Sequence, residues 1–183
     1  MHVCPKTRLF SVVSCIFAIL AFAALPALLP SPVLAQTGAL PAPKGDVLLT
    51  IDGAISTVTE GSQARLDRAA LEDLGLKELK TSNPFTDGVH LYEGVLLVEV
   101  LDLVGATGTT LTARALDGYT VDIPVQDVRD YPVLLAMKID GQVMSVRQKG
   151  PLWVIYPVDQ YPDLKAESYS ARSIWQLTHV TVQ

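Results

Sequence analysis

The run LTARALDGYTVDI, Leu111 to Ile123, reads as two β-strands, Leu111–Leu116 and Tyr119–Ile123, joined at Asp117-Gly118. An Asp-Gly pair between β-rich runs is the strongest short-range hairpin signal, because both residues tolerate the backbone a tight turn needs. The pattern repeats downstream. Val133–Ile139 and Gln142–Val146 flank Asp140-Gly141. Two hairpins in forty residues point to a sheet-dominated domain.

Outward from the hairpins, Leu152–Tyr156 reads as another β run and Ile174–Val182 as the last strand, with a polar loop through Ser170 between them. Pro124–Asp130 reads as a helical turn. Upstream, Asp46–Asp52 is a short strand closed by Asp52-Gly53. Gly61–Leu76 carries Leu66, Ala69, Ala70, Leu71 and Leu74 near helical spacing and stops at Gly75. Thr81–Gly88 is a polar loop, His90–Val95 a strand, and Val95–Val104 a buried helix ending at Gly105. The expected class is α+β: a mostly β mixed-sheet core with short peripheral helices.

The N-terminus has a different character. Lys6 and Arg8 are the only charges in the first thirty-five residues. They precede an apolar run, Leu9–Leu25, a Pro-rich stretch, and Val33-Leu34-Ala35. This is the order of a secretory signal with a cut before Gln36. A short membrane anchor and lipidation at Cys15 are the other readings of the same residues. The expected organisation is a signal peptide over 1–35, an extended lead-in over 36–45 and one domain over 46–183, placed in the periplasm.

Both cysteines, Cys4 and Cys15, fall inside the signal. Residues 36–183 then hold no disulfide, thiolate nucleophile or cysteine metal site. They carry 12 basic against 19 acidic residues, a formal charge of −7. That balance argues against a nucleic-acid partner.

No Gly-x-Ser-x-Gly elbow, phosphate-binding Gly-rich loop or His-Glu-x-x-His motif occurs. His90 and His179 stand alone in separate strands. Two clusters do stand out. In Ser145–Pro157, a flat aromatic ligand could stack on Trp153 while Arg147 or Lys149 neutralises an acidic group. The same residues also read as a turn entering a core strand with Trp153 buried. In Arg172-Ser173-Ile174-Trp175, an arginine and a hydroxyl could hold an anion, or the segment is a strand edge with Trp175 buried.

Gly94-Val95-Leu96-Leu97 with Leu101 and Gly105, Ala115–Tyr119 with Ile123-Pro124, Leu135-Ala136 with Asp140-Gly141, Gly150-Pro151-Leu152 with Tyr156-Pro157, and Trp175 follow one another in a familiar order. From about Leu66 onward the chain resembles the molybdopterin-binding domain of sulfite-oxidase-type oxidoreductases. The resemblance implies a mixed α+β fold and a cleft suited to a pterin.

Catalytic members of that family hold molybdenum through a cysteine ahead of the Gly-Val-Leu element. The matching stretch here, Thr81–Glu93, contains none, and Trp153 stands where those enzymes carry a basic residue. A hydroxyl does not substitute for a soft thiolate ligand without changing the metal's electronics. The chain is also shorter than those enzymes. The resemblance is closer to short exported members that lack the cysteine, among them periplasmic proteins that bind a reduced pterin and signal to a membrane-bound partner such as an enzyme of cyclic-di-GMP turnover. It therefore implies a pterin, reduced or as molybdopterin, with no molybdenum held by the protein. Trp153 or Trp175 would wall the ring, Arg147 and Arg172 would bond its polar edge, and Ser173, Ser82, Asn83 and Tyr119 would assist. Two other functions stay open: a molybdopterin-dependent oxidoreductase or its subunit, and a protein-interaction module with an empty cleft.

Overall fold

The computed structural model describes residues 38–183; the signal-peptide expectation for 1–35 lies outside the described residues. In chain order the elements are β1 (Gly38–Ala39), β2 (Val47–Gly53), β3 (Thr57–Val58), β4 (Ala64–Asp67), α1 (Arg68–Glu72), β5 (Lys77–Ser82), β6 (Val89–Leu96) and α2 (Leu97–Leu103). There follow β7 (Thr110–Ala115), β8 (Thr120–Pro124), α3 (Val125–Asp130), β9 (Leu134–Ile139), β10 (Gln142–Val143), β11 (Trp153–Ile155), α4 (Glu167–Arg172) and β12 (Leu177–Val182). Among the described residues no helix is long and apolar enough to cross a membrane.

The strands form two five-stranded sheets and one short pair. The first sheet runs β4-β2-β12-β7-β8, with β12 parallel to β2 and every other pairing antiparallel. The second is built on β9, which pairs with β6 on one side and with β10 and β11 on the other; β5 adds to β6. β1 pairs parallel with β3. The architecture is α+β, mostly mixed sheet with short helices, the class expected from the sequence.

The sheets are joined at one seam. Trp153 bridges Trp175, the Val154 N–H donates to Ile174 O at 2.9 Å, and the Leu177 N–H donates to Leu152 O at 3.0 Å. The main core gathers Leu49 and Ile51 of β2, Leu111 and Ala113 of β7, Val100 and Leu101 of α2, and Val154 and Tyr156. A second cluster around Tyr92, Trp153 and Ile155 lies under β9, with Trp175 packed against it. Burial of these side chains is the main favourable term in a cysteine-free fold.

Both hairpins form, with different turns. At Asp140-Gly141 both residues have positive φ, 49° and 77°, and Ile139 pairs with Gln142, a two-residue loop. At Asp117-Gly118 only Gly118 does, at 91°; the Gly118 N–H donates to Ala115 O and the Ala115 N–H to Tyr119 O. That is a three-residue loop closed by a glycine in the left-handed region.

Elsewhere tertiary pairing overrides local pattern. The helix expected over 61–76 is only α1, because Ala64 and Leu66 pair with β2 as a strand. Asp67 ends that strand and caps the helix, accepting from Ala70 N–H at 2.9 Å. Its other carboxylate oxygen accepts from the Lys44 and Gly45 N–H groups. β5 has the polar sequence KELKTS, which no apolar run marks; it is an edge strand paired with β6, with both lysines exposed. The strand expected to Val146 stops at Val143. Ser145 and Gln148 cap a 3₁₀ turn there instead. The polar loop before Ser170 contains a second 3₁₀ turn and most of α4.

Candidate functional site

A cleft of about 360 Å³ opens beside the seam between the sheets. Three pieces of chain line it. The β7–β8 turn supplies Ala115, Asp117 and Tyr119; the end of α4 and the segment after it supply Ser173, Ile174 and Trp175; and the loop after β5 supplies Phe85. The volume lies within the range of small-molecule sites, which are largely apolar with a few placed polar groups.

The aromatic wall is held from beneath. The edge of Phe85 meets Trp175, with ring centroids 4.9 Å apart and planes at 70°. The Lys149 ammonium stands 4.5 Å from the Trp175 ring centre, 5.2 Å from Trp153 and 5.7 Å from Phe85. Lys149 reaches this box because it ends the 3₁₀ turn in the left-handed region, φ 71°. Gln176, also at positive φ, donates its N–H to Lys149 O and its side-chain amide to Val146 O. This kink lies just before β12, whose pairing with β7 shifts register between Leu177 and His179.

Phe85 is placed by its own loop. Asn83 Oδ1 accepts from the Phe85 N–H at 2.9 Å, an Asx turn. His90 ties the far end of that loop down: Nε2 bonds Asp87 O at 2.9 Å and Nδ1 bonds Asp140 Oδ2 at 2.7 Å. Both partners are acceptors, so the protonated ring satisfies both. The Asp140 carboxylate accordingly raises the His90 pKa above its ordinary value, and His90 in turn holds Asp140 below its own.

Of the residues singled out from sequence, Tyr119, Ser173 and Trp175 line this cleft. Tyr119 is 52% exposed. Ser173 is buried, its Oγ donating to Tyr169 O at 3.2 Å. Ser82 and Asn83 line a neighbouring depression of about 310 Å³ with Lys165 and Ser170. Ser82 donates through its N–H and Oγ to Asp159, at 2.6 and 2.7 Å, and these bonds hold the Asp159 carboxyl below its usual range.

The remaining three sit elsewhere. Trp153 is 1% exposed; its indole N–H donates to Ser173 O at 3.1 Å and its ring meets Tyr92 edge-on. It fills the core. Arg172 pairs with buried Asp127 at 2.7 Å and lies over the Tyr169 ring. Asp127 also accepts from the Tyr156 hydroxyl at 3.1 Å, and burial pushes that phenol's pKa far up. Arg147 is exposed on the 3₁₀ turn and does not line the cleft.

Sequence reasoning missed Phe85 and Asp117 as lining residues. Phe85 is the one large apolar side chain in an otherwise polar loop, and that was its signal. Asp117 was hidden by its role as a turn former.

A molybdenum cofactor makes two demands on such a site, a soft thiolate for the metal and cations for the phosphate of its pterin. The only cysteines of the chain are Cys4 and Cys15. Among the described residues no group of three His, Cys, Asp or Glu is placed to hold a metal. No lysine or arginine is among the residues lining the cleft, where the charged side chain is Asp117. Thr81, at the head of the stretch where the family's cysteine is expected, is buried, with its hydroxyl accepting from the Asp159 N–H. The lining is aromatic, aliphatic and hydroxyl-bearing apart from Asp117, and this donor set does not fit the metal.

The family model described as oxidoreductase molybdopterin binding domain matches residues 71–160. Among solved structures, the crystal structure of the sulfane dehydrogenase SoxCD from Paracoccus pantotrophus is similar, with a TM-score of 0.53 at 18% identity. The likeness covers 79% of this chain and 40% of that one, so this chain spans well under half the length of that protein. No curated protein matches. The matched segment takes in β5 to β11, with Phe85 and the β7–β8 turn but not Ser173 or Trp175, and the fold is that of the solved relative. Residues 71–160 thus match a molybdopterin-binding domain, on a fold of the sulfite-oxidase type.

Proposed function

We propose that this domain is an exported, periplasmic pterin-binding domain that works without a protein-held molybdenum, as a ligand sensor or accessory protein for a membrane-bound partner. The observation that carries the reading is the make-up of the cleft: an aromatic wall with no thiolate and no lining cation. Trp175 and Phe85 offer the flat apolar surface that a bicyclic heteroaromatic ring needs. Tyr119 and Ser173 supply hydroxyls at the rim and floor. These groups bind and orient; none is arranged as an acid–base pair or a nucleophile with its base. The loop that carries Phe85, tied down by His90, gives ligand binding a means of altering the outer surface that a partner reads.

A second reading is an oxidoreductase or an oxidoreductase subunit, favoured by the description of the matching family. One experiment separates the two. The protein is purified from the periplasm of its native host, and its metal content and released small molecules are measured. A fluorescent pterin without stoichiometric molybdenum is the expected result. Stoichiometric molybdenum overturns it in favour of the oxidoreductase. If no pterin copurifies or binds on addition, the cleft serves only as an interaction surface. The N-terminal mass of the same material tests export: a chain starting at Gln36 is expected.

A further inference from the structure

We infer that Asp117 sets the chemical class of the ligand: its carboxylate takes the paired N–H donors of a 2-amino-4-oxo-pyrimidine ring, the ring N–H and the neighbouring exocyclic amine. The inference rests on the pterin-binding reading above and deepens it.

Asp117 is the one charged side chain among the lining residues. The rest of the slot is aromatic, aliphatic or hydroxyl-bearing. A flat ligand entering it therefore meets one strong acceptor, and its edge must answer that acceptor. The 2-amino-4-oxo ring carries a guanidine-like edge of two parallel donors. Carboxylates take such an edge bidentately, as they take arginine.

The carboxylate is also fixed in place. One oxygen, Oδ1, accepts from the Tyr119 N–H at 3.0 Å. The turn beneath it is closed by Gly118 N–H to Ala115 O and Ala115 N–H to Tyr119 O. A carboxylate offers about four acceptor sites, so one backbone bond leaves capacity for a ligand. A side chain held by a hairpin turn is better pre-organised than one on a free loop.

The consequence is selectivity. A ring of the same shape with a carbonyl in place of the amine presents an acceptor to the carboxylate. A site built to bond a donor rejects the analogue that lacks it. Because Asp117 is exposed to solvent, the expected discrimination is at the lower end for a charged hydrogen bond, about tenfold.

The test is calorimetric titration of the full chain with pterin and with lumazine, the 2,4-dioxo analogue of the same bicycle. Wild type is expected to prefer pterin by about tenfold. Asp117→Asn keeps the turn, since Asn-Gly serves a hairpin as well as Asp-Gly, and is expected to bring the two affinities within about threefold. Asp122→Asn, on β8 outside the cleft and bonded to Thr112, is expected to keep the wild-type preference. Equal binding of the two compounds by wild type overturns the inference, as does an unchanged preference in Asp117→Asn. If pterin binds with that unchanged preference, the pterin-binding reading survives and only the role of Asp117 falls. If neither compound binds, both fall together.

Discussion

The Lys149 ammonium lies 4.5 Å from the centre of the Trp175 ring and within 6 Å of two more aromatic rings, Trp153 and Phe85. One cation thus holds the wall of the cleft to the core beneath it. Lys149→Met keeps much of the stem and removes the charge. It is expected to destabilise the domain by about 1–2 kcal/mol, the scale of a partly desolvated cation–π contact. Urea denaturation measures this, and an unchanged midpoint would show the box to be decorative.

Arg172 and Asp127 form a pair whose side chains are 24% and 10% exposed. Arg172→Met leaves the Asp127 carboxylate with only the Tyr156 hydroxyl, at a cost of about 3 kcal/mol. Adding Asp127→Asn is expected to recover part of that loss, because no unpaired charge then remains buried. Urea denaturation of the single and double variants checks the order. A role confined to ligand binding would leave the stability of Arg172→Met at the wild-type level.

The His90–Asp140 pair makes stability depend on pH. The folded-state pKa of His90 is raised above 6.5, so its contribution is complete below that value and is lost as pH rises through the higher folded value. The Asp140 pKa is lowered below 3.8, so its contribution is present above that value and is lost as pH falls through the lower one. The groups facing His90 are the Asp140 carboxylate, the Asp87 carbonyl and carboxylate, and the Tyr92 ring. Wild type and His90→Gln should therefore differ most in the window between the two values and converge in alkaline solution. Denaturation midpoints across a pH series give the answer; a constant difference would rule the linkage out.

Gly94 lies where β6 and β9 shift register. A Cβ there would run into the Leu135 carbonyl oxygen and come within 2.8 Å of Ala136 Cα, both backbone atoms of β9. Gly94→Ala is expected to cost about 3 kcal/mol or more, since neither strand can give way. Loss of soluble, cooperatively unfolding protein in circular dichroism is the readout. A wild-type thermal transition would mean that the strands have room to part.

Much of the fold is legible before any coordinates. The two Asp-Gly turns, the strand–helix succession from β6 into α2 and the final strand all follow from local signals strong enough to survive packing. β5 is not legible, because an edge strand of lysines and hydroxyls earns its conformation from the hydrogen bonds of β6 and not from its own residues. The helix expected over 61–76 fails for the converse reason: Ala64 and Leu66 satisfy either period, and pairing with β2 chooses.

The candidate site divides in the same way. Of the tryptophans, arginines and serine singled out in the Gly-Pro and Arg-Ser-Ile-Trp segments, Ser173 and Trp175 line the cleft. Their roles depend on neighbours distant in sequence. Asp127 lies 45 residues before Arg172 and neutralises it. Ser173 O lies 20 residues after Trp153 and takes its indole proton, leaving Trp153 in the core and Trp175 on the cleft. Residue types, the missing cysteine beyond Cys15 and the turn chemistry are properties of the chain itself and could be read from it. Which aromatic faces solvent, which cation is already paired and that a turn aspartate lines the cleft are decided by contacts between distant segments, because burial and charge pairing exist only once the sheets meet.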